Sequence, residues 1–150
     1  MAIRLASLKL LFVFVVLSTS PFAVCAISAD QQIVVVVPST SKVTTLSKSE
    51  VIDLFMGRFS ETNKGQALVP LDYKAESELK GDFYQTLVNR SLRQVNSYWS
   101  RLLFSGRARA PIQVSSIDNL DDLFKDNQNY VAYVPMNAVS KEMKIVLVLE

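Results

Sequence analysis

The chain reads as an α/β fold, a mixed and mostly parallel sheet covered by helices, and three observations predict it. Residues 33–37 (IVVVV) are apolar at every position and stop at Pro38. A strand with no polar alternation is one buried on both faces, as in parallel sheets. Residues 46–58 (LSKSEVIDLFMGR) form a helix with both ends written into the sequence. Strand-type and helix-type segments then alternate along the rest of the chain, giving the order β-α-β-α-α-β-α-β-β.

Each element follows from local chemistry. In the first helix, Ser47 and Glu50 have the S-x-x-E spacing of a capping box, and Leu46 with Val51 that of a hydrophobic staple. Val51, Ile52, Leu54, Phe55 and Met56 make the apolar face, and Gly57 follows where a left-handed residue ends a helix. Asn63, Lys64 and Gly65 signal a turn, and residues 67–71 a short strand with Pro70 at an edge or a strand end. Residues 77–90 read as a second helix, with Ser77 as N-cap and Leu79, Phe83, Leu87 and Val88 at helical spacing. Gly81 inside it costs about 1 kcal/mol relative to Ala. A third helix starts at Ser91, where Gln94 completes a second capping box, and stops at Gly106. Its stripe is Val95, Tyr98, Leu102 and Leu103. Residues 112–114, 130–134 and 144–149 are strands, and residues 116–125 a fourth helix.

The first residues read as a targeting signal. Arg4 and Lys9 precede the apolar run of residues 10–17, and the small residues around Cys25 predict cleavage after Ala26. Residues 27–150 are then one exported, periplasmic domain, about 124 residues long and large enough for a single core. Arg4 and Lys9 account for the whole net charge of +2, so the remainder is balanced and gives no reason to expect nucleic acid as a partner. Cys25 is the only cysteine, and there is no histidine. Thiolate chemistry, disulfides, Ser-His-Asp catalysis and the commonest zinc ligands are therefore excluded from residues 27–150. No acid–base pair stands out, so the expectation is a non-enzyme without a cofactor.

Four segments in order carry a resemblance. They are the helix pattern of residues 46–58, the strand of residues 67–71, Trp99 followed by RLLFSG at residues 101–106, and YVAYVP at residues 130–135. In this order and spacing the chain resembles the phosphate-type substrate-binding proteins of bacterial ABC transporters, over residues 33–149. The match is to one lobe of that type II periplasmic-binding fold, a three-layer domain. The resemblance implies phosphate or another small oxyanion as ligand, an ABC permease or membrane sensor as partner, and a second copy or another chain to complete a two-lobed cleft. The alternative it leaves open is an accessory interaction module that has lost its small ligand.

Candidate anion-binding residues follow from both readings. Ser39, Thr40 and Ser41 lie in the loop PSTSKVTT, between a buried strand and a helix, with Lys42 beside them. Ligands of open α/β sheets bind just outside the carboxyl ends of strands. Ser77 stands where phosphate-binding relatives have a Ser-Gly-Thr turn, but Gly and Thr are missing, and Glu76 and Glu78 place negative charge in that turn. Arg107 is a peripheral cation in the run Arg90, Arg93, Arg101, Arg107, Arg109, which also suits a protein interface together with Trp99. Asp118, Asp121, Asp122 and Asp126 read as a solvated helix face rather than a calcium loop.

Overall fold

The computed structural model describes residues 32–74, 77–106 and 108–150. The predicted targeting signal, Cys25, Glu76 and Arg107 lie outside the described residues. The elements are β1 (Ile33–Pro38), α1 (Lys48–Phe55), β2 (Val69–Tyr73), α2 (Glu78–Val88), α3 (Leu92–Phe104), β3 (Ile112–Val114), α4 (Leu120–Asp126), β4 (Tyr130–Pro135) and β5 (Met143–Val148). Short 3-10 turns precede α4 and follow β4.

The caps are where the sequence places them. Ser47 and Ser91 each accept a hydrogen bond from the third helical residue, and Glu50 and Gln94 accept one in return from the cap N–H. Gly57 takes φ +65°, and Asn89 ends α2 in the left-handed conformation. Gly57 has a second reason to be glycine. A Cβ there would sit 2.6 Å from the Trp99 ring. Trp99 is thus a core residue, 8% exposed, which removes it as a partner-contacting surface.

The sheet has the order β3-β2-β4-β1-β5. β2 runs parallel to both β3 and β4, whereas β1 is antiparallel to β4 and to β5. Four strands thus share a direction and β1 alone opposes them. The even burial of β1 came from coverage on both faces. It carried no information about direction, and the parallel setting expected for this strand is corrected to antiparallel. Pro70 occupies the second position of β2, before pairing with β3 begins at Leu71, so its missing N–H costs that ladder no bond.

The crossovers β2-α2-α3-β3 and β3-α4-β4 run in opposite senses along the sheet. Right-handed connections then place α2–α3 and α4 on opposite faces, giving three layers. On the α1–α2 face, Tyr133 of β4 is stacked on Phe83 with ring centres 3.6 Å apart, and Phe55 meets both edge-on. On the other, Leu120 and Phe124 of α4 are buried, and the helix packs on β1 and β4.

Candidate functional site

The direction of β1 sets the two candidate anion sites at opposite ends of the sheet. Ser39, Thr40 and Ser41 follow the carboxyl end of β1, which is level with the amino ends of β2 and β4. Ser77 follows the carboxyl end of β2, at the opposite end of the sheet. The five residues of β2 put about 16 Å between them. The structure therefore does not bring these hydroxyls together around one ligand.

The β1–α1 loop is fastened to β5 rather than open to a ligand. Ser39 N–H donates to the Glu142 carbonyl at 2.8 Å, and the Lys144 ammonium donates to the Ser41 carbonyl at 2.6 Å. Ser41 is buried and its hydroxyl accepts the Val43 N–H. Of the three predicted hydroxyls, those of Ser39 and Thr40 remain on exposed residues. The nearby start of α1 is already supplied with an anion of its own. Glu50 accepts the Ser47 N–H at 2.9 Å and the Asn63 N–H at 3.0 Å. Those bonds hold its carboxyl below the usual glutamate range.

At the other end, the chain builds a ledge. Tyr73 of β2 is level with Val114 of β3, so exposed Lys74 and Ser115 leave the sheet side by side. The 3-10 turn after β4 begins there too, with Met136 N–H bonded to the Gln32 carbonyl. The start of α2 opens onto this ledge, where Ser77 is half-buried and caps the helix through the Lys80 N–H at 3.4 Å. Glu78 is exposed in the same turn.

Beneath the ledge lies a polar cluster that sequence reasoning missed. Asp72 and Lys80 are 3% and 5% exposed and form an ion pair at 2.8 Å. Asp72 also accepts the hydroxyls of Tyr133 at 2.6 Å and Tyr84 at 3.0 Å. Lys80 gives a second bond to the Tyr73 carbonyl, and the Tyr73 hydroxyl donates to the Tyr133 carbonyl. Burial first, and then the Asp72 charge, push all three tyrosine hydroxyls well up from their ordinary range, so they act as fixed donors. The cluster ties the last residues of β2 to the first turn of α2. The signal for it was an aspartate set inside the apolar strand VPLDY.

A third feature is an open groove of about 970 Å³ beside the amino end of β2, between the end of α1 and the segment entering β3. Asp53, Glu61, Arg58 and Arg109 line it, so it offers both signs of charge and no preference for an anion. Among the described residues no three carboxylates converge as metal ligands.

Against known proteins, the sequence matches no family model and no curated protein. Solved structures do match. An ABC-type phosphate transport receptor from Vibrio cholerae aligns with a TM-score of 0.58 at 18% identity, covering 77% of this chain and 45% of that one. A putative phosphate ABC transporter substrate-binding protein with bound phosphate from Clostridium perfringens aligns with a TM-score of 0.58 at 13% identity, covering 77% and 44%. PstS from Borrelia burgdorferi gives 0.57 at 11% identity, covering 77% and 46%. The domain shares its fold with part of these phosphate-transport substrate-binding proteins. The chain spans less than half the length of these relatives, and at such identities the likeness is one of fold.

Proposed function

We propose that this chain is a periplasmic solute-binding-like domain whose ligand is phosphate or a similar oxyanion, held on the ledge at the carboxyl ends of β2 and β3. One observation carries the reading. The N-terminus of α2 opens where parallel strands end, the position at which open α/β sheets take ligands, and the Asp72–Lys80 pair fixes it there. Lys74 supplies an exposed positive charge, and Ser77, Ser115 and Ser116 supply hydroxyls. Glu78 opposes an anion in the same turn, so binding by this half-cleft alone is weak. A second copy or another chain, such as an ABC permease or a membrane sensor, closes the cleft in this reading, with Arg107 as a peripheral cation. The chain has no catalytic role.

The competing place for the same ligand is the loop bearing Ser39, Thr40 and Ser41. Two variants separate the two places. Lys74→Ala with Ser77→Ala is expected to weaken phosphate binding at least about tenfold, while Ser39→Ala with Thr40→Ala leaves it unchanged. The reverse pattern moves the site to the β1–α1 loop.

A second reading, an accessory interaction module without a small ligand, is favoured by the exposed cationic face of α3.

A further inference from the structure

Residues 83–117 contain five arginines, no lysine and no acidic residue, whereas the rest of the chain has nine lysines and two arginines. Such segregation is not needed for folding. Arg90, Arg93, Arg101 and Arg109 are exposed, and none makes an ion pair among the described residues. Arg93 and Arg101 stand on the same side of α3, eight residues apart, so about 12 Å separates their Cα atoms. Between them lie only the short polar side chains of Asn96, Ser97 and Ser100. The face ends in Phe104, 97% exposed, beside Leu103 at 48%. A fully exposed Phe next to arginines reproduces the composition of the energetic centre of a protein interface.

We infer that this face of α3 docks an acidic helical segment of another protein. That segment carries two carboxylates two helical turns apart, one for Arg93 and one for Arg101, and an apolar recess for Phe104. Two features favour a protein over a lipid surface. A bilayer reads net charge, to which lysine and arginine contribute alike. The restriction to arginine instead selects the forked donor that grips a carboxylate through two bonds. An interfacial helix also keeps a continuous apolar face free for lipid. In α3 that face is buried in the core through Val95 and Trp99, leaving Leu103 and Phe104 alone. The surface is separate from the oxyanion ledge, so it stands or falls independently of the proposed ligand.

The test is an NMR titration of the ¹⁵N-labelled chain with a blocked Ala/Leu-based helical peptide bearing two glutamates two turns apart. Controls are the same peptide with glutamine, and vesicles of phosphatidylglycerol. Shifts are expected at Arg93, Ser97, Ser100, Arg101 and Phe104, with binding that weakens as salt rises. Arg93→Glu plus Arg101→Glu is expected to abolish it, and Phe104→Ala to weaken it about tenfold. All three side chains are solvent-exposed, so unchanged spectra elsewhere report an intact fold. Equal binding of the glutamine peptide, shifts mapping elsewhere or no binding overturns the proposal. So does arginine-dependent binding to vesicles in preference to the peptide. Self-association of the free chain that the double reversal removes overturns it in favour of a second copy, docked through the acidic face of Asp118, Asp122 and Asp126.

Discussion

Replacing Lys80 by Met removes one half of the buried ion pair and leaves the other half in place. Asp72 is almost fully enclosed and keeps two neutral tyrosine hydroxyls but loses its cation at 2.8 Å. The Tyr73 carbonyl loses its bond from Lys80 as well. Breaking a buried pair in this way costs about 3–5 kcal/mol. The two remaining hydroxyl donors place the expected loss at about 3 kcal/mol, a large share of the ~5–15 kcal/mol available to a domain. In urea unfolding, with a slope of about 1–3 kcal/mol per molar, the midpoint falls by about 1–3 M. The double variant Lys80→Met/Asp72→Asn removes the stranded charge too. It should recover at least about 1 kcal/mol of the loss, which a double-mutant cycle isolates. A loss below about 1 kcal/mol for Lys80→Met, with the fold intact, would refute the view that this pair fastens β2 to α2.

Two half-buried glycines should respond in opposite senses. Gly57→Ala forces a side chain into a left-handed position and against the Trp99 ring; thermal or urea unfolding should report a loss of about 2–4 kcal/mol. Gly81→Ala sits mid-helix with only ordinary contact to Leu92 at 3.6 Å, and should gain about 1 kcal/mol by the same assay. Glu50→Gln addresses pH. The folded carboxyl titrates below the ordinary glutamate value of 4.5, so its stabilisation is present above that pH and is lost as pH falls through the lower folded value. The variant should therefore show a flatter fall in stability below about pH 4.5 than the parent.

Every helix and strand was legible because each is announced locally. Ser47, Glu50, Ser91 and Gln94 write two capping boxes, Gly57 and Gly106 write ends, and β1 and β4 are runs that only a covered strand tolerates. Bounds moved by up to four residues: α4 begins at Leu120 because residues 117–119 form a 3-10 turn, and β2 begins at Val69 because Ala67 pairs only with Glu61 in an isolated bridge. The direction of β1 was not legible, since burial on two faces looks alike in parallel and antiparallel neighbours. That one unknown is why the sequence could not show that Ser39, Thr40 and Ser41 lie at the opposite end of the sheet from Ser77. The pairing of Asp72 with Lys80 was hidden for a related reason. Their contact depends on how α2 lies over β2, and no periodicity in either segment encodes that. Conversely, the arginine run was visible in the sequence, but only the burial of Trp99 and the exposure of Phe104 reveal which side of α3 Arg93 and Arg101 occupy.

The central claim is that this lobe keeps an oxyanion site on the ledge above Asp72 and Lys80. Its most direct test is calorimetric titration of residues 27–150 with phosphate, with sulfate as the control and the oligomeric state recorded alongside. Saturable, phosphate-selective heat that diminishes in Lys74→Ala/Ser77→Ala is the predicted result. The absence of heat from folded protein, or equal heat with sulfate, would contradict it.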